Sequence, residues 1–99
     1  MNDCTRRIIE QIRAIPNGRV SSYRDIALKA GLSNGARQVA RILHSMSKKH
    51  NLPWHRVIRS DGSIALKTGE GKELQIHLLR SEGVEVSSGG RVDMKWFWI

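Results

Sequence analysis

Apolar residues recur at helical spacing near the start of the chain. Ile8, Ile12 and Ile15 lie at i, i+4 and i+7 and would form the buried face of a first helix. Asn2 or Asp3 precedes this stripe, and both are residue types that cap helix N-termini. A Pro-Asn-Gly segment follows the stripe and is typical of a helix end. The pattern therefore predicts an amphipathic helix that serves as scaffold.

A second and a third helix follow in quick succession. Ser22 and Asp25 have capping-box spacing and would open the second helix. After a turn that contains glycine, the third helix would expose Arg37, Gln38 and Arg41, residue types that contact phosphates and base edges. Two short helices joined in this way predict a helix-turn-helix. The buried stripe predicted for the third helix consists of Ala36, Val39, Ala40, Leu43 and Met46.

Beyond the third helix the pattern changes to a period of two. Residues 56–60 and 63–67 alternate around an Asp-Gly turn at 61–62, which predicts a β-hairpin. In a hairpin with this two-residue loop, Val57 would face Leu66. A helix-turn-helix followed by a hairpin is a winged-helix arrangement. The predicted fold class is therefore α+β, mostly helical, with one small β-hairpin.

The last third of the chain predicts one more helix and an apolar tail. Helical spacing over about residues 72–81 would turn Leu74, His77 and Leu78 inward. Residues 94–99 hold three of the five aromatic side chains. An apolar terminus of this density is expected to fold back onto the core, since exposed apolar patches of that size are unusual.

Composition limits the kinds of protein this can be. The length corresponds to one domain, so residues 1–99 are interpreted as a single unit. Residues 1–50 carry ten Lys and Arg against three acids, within a formal net charge of +8. This asymmetry favours nucleic acid or another polyanion as partner over a merely solubilising charge. Cys4 is the only cysteine, which excludes an internal disulfide framework and a cysteine-based zinc site.

Segments that direct a chain to or across a membrane are not apparent in the sequence. No apolar run approaches the ~20 residues of a membrane span, and the start lacks the apolar core of a signal peptide. We therefore expect a cytoplasmic protein with no membrane partner, associated with the nucleoid if its source is bacterial. Neither a metal ion nor a cofactor is expected.

The segment at 51–57 is the strongest candidate for chemistry. Pro53 restricts Leu52 to an extended conformation, so Trp54 and His55 would lie just before a strand and near a glycine-rich loop. A tryptophan at such a junction is usually part of the core, and a lone histidine is usually structural. The residue types alone leave a functional and a structural interpretation equally open.

Two motifs resemble those of a known family. The Pro-Trp-His-Arg-Val sequence at 53–57 resembles the Pro-Cys-His-Arg-Val active-site motif of O6-alkylguanine-DNA alkyltransferases, with tryptophan in place of cysteine. The Ala-Arg-Gln-Val sequence at 36–39 resembles the recognition-helix motif of that family, and the spacing between the two motifs also fits. The tryptophan variant is typical of alkyltransferase-like proteins, which recognise alkylated DNA without repairing it. The resemblance covers nearly the whole chain and implies the fold of the C-terminal alkyltransferase domain.

The resemblance implies roles for the DNA-binding positions. Arg37 would enter the base stack in place of the flipped nucleotide, and Tyr23 would press on the 3′ phosphate. The recognition helix would lie in the minor groove, unlike the usual major-groove docking. Its contacts would come from four further residues: Ala36, Gln38, Ala40 and Arg41.

The resemblance also implies a pocket for the lesion. Trp54 would line it, and Val57 would form another wall. His55 matches a position of the transferase activation network, as does Glu82, and would have a structural or polar role in the pocket. The remaining wall would be a loop that consists of Lys67, Thr68 and Gly69.

Three departures from the family pattern bear on function. Alkyl transfer needs an activated thiolate, and the indole of Trp54 has no available lone pair for that attack. Cys4 lies fifty residues from the motif and is not a credible replacement, so no alkyl transfer is expected. Lys67 replaces a tyrosine or arginine, and Met46 replaces the hinge asparagine of the family.

The sequence therefore predicts a monomeric lesion sensor rather than an enzyme. It would bind O6-alkylguanine in duplex DNA, flip the nucleotide and leave the damage for nucleotide excision repair proteins. One alternative is a residual alkyltransferase or an alkylguanine glycosylase, for which Glu82 is the candidate carboxylate. Another is a winged-helix transcription regulator, although the motif around Trp54 would then have no purpose.

Overall fold

The computed structural model describes residues 2–98 and has the predicted mostly helical α+β architecture. The described residues form four α-helices, two very short strands and two single 3₁₀ turns. In chain order the elements are α1 (Asp3–Ala14), β1 (Ser21–Ser22), α2 (Tyr23–Lys29), α3 (Ala36–His50), a 3₁₀ turn (Trp54–Arg56), β2 (Val57–Ile58), α4 (Lys72–Ser81) and a second 3₁₀ turn (Met94–Trp96).

The predicted first helix is confirmed together with its cap. The Asn2 side chain accepts a hydrogen bond from the backbone N–H of Thr5 at 2.7 Å, which satisfies one of the free donors of the first turn. Ile8 and Ile12 are fully buried, and Ile15 continues the same face just beyond the helix. The isoleucine stripe therefore holds α1 against the rest of the helical core.

The helix-turn-helix is confirmed in α2 and α3. Ser22 caps α2 by accepting a 3.0 Å hydrogen bond from the N–H of Asp25. The buried face of α3 differs from the prediction, because Val39 and Ile42 are its buried residues while Ala40 is exposed. Packing on both α2 and α1 turns the Val39–Ile42 ridge inward and leaves Ala40 on the outer surface.

The predicted hairpin is wrong in its strand pairing. A turn closes one residue earlier than predicted, since Gly62 N–H bonds Arg59 O at 2.9 Å, and Arg59 N–H bonds Ser63 O across it at 2.9 Å. The strand β2 itself pairs in parallel with β1, in the register Ser21 to Val57. Beyond the turn, Ile64 N–H bonds Gly90 O at 3.0 Å, so this segment runs beside residues 90–92 instead. The predicted register would also have set two cations, at 56 and 67, opposite each other, which is unfavourable.

Helix α4 begins and ends near the predicted residues but turns a different face inward. Gln75 and Leu79 are buried, whereas Leu74 is 53% exposed and His77 is also exposed. The prediction that Leu74 and His77 point inward is therefore wrong. The Gln75 amide donates to the backbone carbonyls of His55 and Val57, both at 3.1 Å, and these bonds fix the rotation of the helix.

The aromatic tail folds back onto the protein, as predicted, as far as residue 98. The backbone of Val20 makes two hydrogen bonds to this tail. Its N–H donates to Trp96 O at 3.0 Å, and its carbonyl accepts from the N–H of Trp98 at 2.8 Å. Trp98 packs on the core cluster built by α1, α2 and α3, while Trp96 and Phe97 pack on a second cluster around Ile58 and Leu79. Ile99 lies outside the described residues. None of the helices within residues 2–98 has the length and apolar character needed to cross a membrane.

Candidate nucleic-acid interface

The outer side of α3 carries most of the predicted DNA-binding residues. Arg37, Ala40 and Arg41 are exposed, and Ala36 is half-buried. Gln38 lies elsewhere, because its side-chain Nε2 donates to Cys4 Sγ at 3.3 Å on α1. The arrangement therefore presents two arginines and two small residues to solvent, whereas Gln38 is held at the contact between helices.

A basic depression runs around the start of α3, and we call it the arginine groove. It consists of two adjoining hollows of about 650 and 290 Å³ that share Arg24, Ala36 and Ser60. Arg37 lines the first hollow and Arg59 the second. Within residues 2–98 none of these three guanidinium groups forms an ion pair or donates a side-chain hydrogen bond. The groove therefore carries three guanidinium charges that are free to meet an anionic ligand, against one carboxylate, Asp61, in the hollow of Arg59.

Tyr23 lies at the end of the arginine groove that contains Arg59. Burial raises the pKa of the Tyr23 phenol, and the nearby Arg59 charge lowers it in part, so the net pKa lies above its ordinary value. The phenol therefore stays protonated at neutral pH. A neutral phenol can donate a hydrogen bond to an anion such as a phosphate oxygen.

A second depression, which we call the apolar pocket, also has Tyr23 in its lining. Its volume is about 450 Å³. Three of the predicted site residues line it, one each from α2, α3 and the first 3₁₀ turn: Tyr23, Ala40 and Trp54. Six further lining residues were not predicted: Leu43, His44, Ser47, Ala65, Leu66 and Gln75.

The unpredicted lining residues have different origins in the sequence. Leu43, His44 and Ser47 lie three, four and seven residues after Ala40, so they share its face of α3. This spacing is a signal from which they could have been found. Gln75 gives no such signal, because its position depends on the rotation of α4 against a distant backbone segment.

Several residues predicted for the lesion pocket lie outside its lining. Val57 is 1% exposed and belongs to the main core cluster. Lys67, Thr68 and Gly69 form an exposed loop beyond Leu66, and the Gly69 N–H bonds Glu73 Oε1 at 3.1 Å. The structure thus brings Trp54, Tyr23 and Ala40 together and leaves this loop at the surface.

His55 is turned toward a partly buried charge network rather than toward the apolar pocket. Its Nε2 lies 2.6 Å from Glu82 Oε2. Arg56 Nη2 donates to the same oxygen at 2.8 Å, and Arg56 Nη1 donates to the carbonyl of Ile15 at 2.9 Å. The N–H of Gly18 donates to Glu82 Oε1 at 3.1 Å. These contacts hold the backbone next to Trp54 in place. They also tie the segment after α1, through Ile15 and Gly18, to Arg56 and Glu82.

The network also sets the charge of Glu82. Burial alone would raise the pKa of this carboxyl, but hydrogen bonds from Arg56, His55 and the Gly18 N–H outweigh it and lower the pKa to about 2. Glu82 is therefore ionised at neutral pH with each of its oxygens engaged. It is not one of the residues that line the apolar pocket.

The thiol and the possible metal ligands are also placed by the structure. Cys4 is half-buried on α1, where its sulfur accepts the Gln38 amide. Among residues 2–98 no three side chains of the metal-binding types His, Cys, Asp and Glu are grouped closely enough to hold an ion.

Comparison with known proteins places the chain in a family. Residues 3–84 match the family model described as 6-O-methylguanine DNA methyltransferase, DNA binding domain. The chain is 40% identical over 90 residues to the DNA base-flipping protein of Escherichia coli K12, covering 91% of this chain and 69% of that protein. It is 34% identical to Alkyltransferase-like protein 1 of Schizosaccharomyces pombe, covering 87% of this chain and 81% of the relative.

Solved structures show the same fold. A crystal structure of S. pombe Atl1 in complex with damaged DNA containing O6-carboxymethylguanine matches with a TM-score of 0.86 at 31% identity, over 100% of this chain and 97% of the other. The O6-methylguanine methyltransferase of Mycobacterium tuberculosis matches with a TM-score of 0.66 at 25% identity, over 96% of this chain and 55% of that enzyme. The resemblance inferred from the two motifs is thereby confirmed. The chain belongs to the family of 6-O-methylguanine DNA methyltransferase DNA-binding domains and is an alkyltransferase-like member of it.

Proposed function

We propose that this protein binds O6-alkylguanine in duplex DNA, flips the nucleotide into the apolar pocket and leaves the alkyl group in place. The observation that carries the proposal is the position of Tyr23, which lines both the arginine groove and the apolar pocket. A DNA strand in the groove would therefore pass directly beside a cavity of about 450 Å³. The relatives named for base flipping, and the Atl1 complex with O6-carboxymethylguanine, support the same activity.

The arginine groove supplies the contacts to the backbone. Arg24 and Arg59 flank Tyr23 and would bind phosphates of the strand that carries the lesion. Tyr23 would press on the phosphate next to the flipped nucleotide. Arg37 would fill the space that this nucleotide leaves, and the exposed Ala40 would allow α3 to approach the minor groove closely. Extruding a base costs a few kcal/mol, and an alkylated base that pairs poorly costs less, which gives a first source of selectivity.

The apolar pocket is suited to hold a base but not to react with it. Trp54 offers an indole face on which a flipped guanine can stack, and Leu43 and Leu66 offer apolar surface for the alkyl group. Alkyl transfer would require a thiolate in the pocket, and no cysteine lines it. The proposed role is therefore that of a sensor. We include in the proposal that the protein acts as a monomer and that the bound lesion is passed to nucleotide excision repair proteins.

A glycosylase mechanism is not supported by the geometry. It would need a carboxylate directed at the flipped nucleotide, and Glu82 was the candidate for that role. Glu82 is bound by Arg56, His55 and the Gly18 N–H, and it is not part of the pocket lining.

The proposal is tested by titrating the protein with a duplex that contains one O6-methylguanine, with tryptophan fluorescence as the readout. Trp54 lines the pocket, so occupation by a stacked base is expected to quench its emission. Mass spectrometry of the protein and the DNA after incubation then reports any transfer. Tighter binding to the lesion than to guanine, with both molecules unchanged in mass, is the expected result. A methylated protein, a released base, or equal affinity for undamaged DNA would contradict the proposal.

A further inference from the structure

The apolar pocket contains few polar groups, and some of them are already engaged. The Gln75 amide nitrogen donates to the carbonyls of His55 and Val57, and the Ser47 hydroxyl donates to the carbonyl of Leu43. Within residues 2–98 four side-chain groups of the lining make no hydrogen bond: the phenol of Tyr23, the indole N–H of Trp54, the side-chain oxygen of Gln75 and the imidazole of His44. Within residues 2–98 the His44 side chain has no hydrogen-bond partner and forms no ion pair.

His44 lines the pocket and is exposed, which places it at the mouth of the cavity. Tyr23 already has a role in the proposed function, as the group that contacts the phosphate. Of the free groups in the lining, only the imidazole of His44 can carry a positive charge, so it is the group best suited to meet a negatively charged far end of an adduct on the flipped base. Neutral imidazole can donate one hydrogen bond, and protonated imidazole adds a positive charge.

We propose that His44 gives the apolar pocket a preference for O6 adducts that end in a carboxylate over apolar adducts of the same size. This inference rests on the proposed function and deepens it by naming a class of lesion. A carboxylate at the end of the adduct would accept a hydrogen bond from His44, and a bond to an ionised acceptor is charge-assisted. A branched alkyl group of equal volume would leave the imidazole without a partner.

The electrostatic surroundings of His44 favour an anion. No acidic residue lines the pocket, and the lining residues that lie outside α3 are uncharged at neutral pH: Tyr23, Trp54, Ala65, Leu66 and Gln75. On α3 itself the charged residues one turn away are Arg41 and Lys48, both cations. An adduct with a negative end would therefore meet no repulsion there.

The test compares two nearly isosteric lesions, O6-carboxymethylguanine and O6-isobutylguanine, each in the same duplex. The dissociation constants of the full chain are measured in one buffer for the wild-type protein, for His44→Leu and for His77→Leu. His77 is an exposed histidine on α4 outside the pocket, so it controls for the general effect of removing a histidine from a DNA-binding protein. Both substituted residues are exposed, and a thermal melt checks that each variant folds.

The expected result is a wild-type preference of about fivefold for the carboxymethyl adduct, in keeping with a hydrogen bond to a carboxylate that is weakened by solvent. His44→Leu should abolish this preference, and His77→Leu should retain it. The absence of a preference in the wild-type protein, or a preference of the same size in His44→Leu, would overturn the inference while leaving the proposed function intact. If neither adduct binds more tightly than guanine, the proposed function fails and this inference fails with it.

Discussion

The arginine groove and the Glu82 network contain the same residue type in opposite circumstances. In the network Arg56 is mostly buried and makes hydrogen bonds to a carboxylate and to a backbone carbonyl. In the groove Arg24 and Arg59 are exposed and have no partner within residues 2–98. A buried and paired arginine fixes the fold, whereas an exposed and unpaired one is available to a ligand and contributes little to stability. Net charge alone does not distinguish the two.

The substitution Arg56→Ala is the strongest test of this difference between the paired arginine and the unpaired ones. We expect a loss of about 3 kcal/mol in the free energy of unfolding, the lower end of the range for breaking a buried ion pair, because the pair is partly buried and Glu82 keeps His55 and the Gly18 N–H as partners. The Ile15 carbonyl would lose its donor as well. Urea unfolding of the variant, with Arg24→Ala as the matched control, measures the effect. The control should change stability by no more than about 0.5 kcal/mol, as is usual for a surface substitution. Equal losses in the two variants would refute the distinction.

The second expected effect is the response of the same network to acid. The pKa of Glu82 is lowered from 4.5 to about 2, so the folded state binds its proton less readily than the unfolded state does. The resulting stability is fully present above about pH 4.5 and is lost as the pH falls through 2, and it amounts to about 3 kcal/mol at ~1.4 kcal/mol per pKa unit. Urea midpoints between pH 5 and pH 2 check this.

The control for the acid experiment is Glu82→Gln, which cannot titrate at this position. Its stability should be lower at pH 5, and it should fall less steeply between pH 5 and pH 2 than that of the wild-type protein. If the two curves run parallel, the carboxylate of Glu82 does not carry the acid sensitivity.

The network also shows how far the sequence could predict the structure. The caps at Asn2 and Ser22 and the isoleucine stripe of α1 depend on neighbours a few residues away, so they were predictable. The contacts of Glu82 span 26 residues to Arg56 and 64 residues to Gly18, and no local pattern encodes them. The hairpin prediction failed for the same reason. The turn over residues 59–62 is local, whereas the parallel pairing of β1 with β2 depends on the tertiary fold.

The candidate site was predictable to a similar extent. The resemblance to alkyltransferases identified Tyr23, Ala40 and Trp54, which the structure brings to one pocket. It placed the loop at 67–69 on the pocket wall, although Leu66 is the last residue of that segment to reach the lining. Gln75 was not predicted as a pocket residue, because a buried glutamine does not fit the hydrophobic pattern of a helix. Its burial is explained by its hydrogen bonds to two backbone carbonyls.

The third prediction concerns Arg37, the groove residue proposed to enter the base stack. Arg37→Ala should weaken binding to an O6-methylguanine duplex by about 2 kcal/mol, roughly thirtyfold in Kd, because the flipped state loses the group that fills the vacated space. Fluorescence titration against lesion and guanine duplexes measures the effect. Lys48→Ala, an exposed cation on the same helix, should weaken binding only a few-fold. If the two variants lose affinity equally, Arg37 acts as one charge among many.

The smallest effect is expected from Arg24→Ala and Arg59→Ala. Each should lower the slope of log K against log salt concentration by about 1, because each removes one phosphate contact and the counterion it displaces. Lys95→Ala is the control, since Lys95 is paired with Glu85 at 3.1 Å and lies outside the groove. That variant should leave the slope unchanged.

The ratio of affinities for lesion and undamaged duplexes decides what these groove arginines do. Arg24 and Arg59 line the arginine groove and do not line the apolar pocket, so their loss should weaken both complexes alike and leave the ratio as it is. A fall in the ratio would mean that they act on the flipped nucleotide itself. The division between a groove that holds the backbone and a pocket that selects the base would then have to be abandoned, because phosphate contacts alone carry no information about the base.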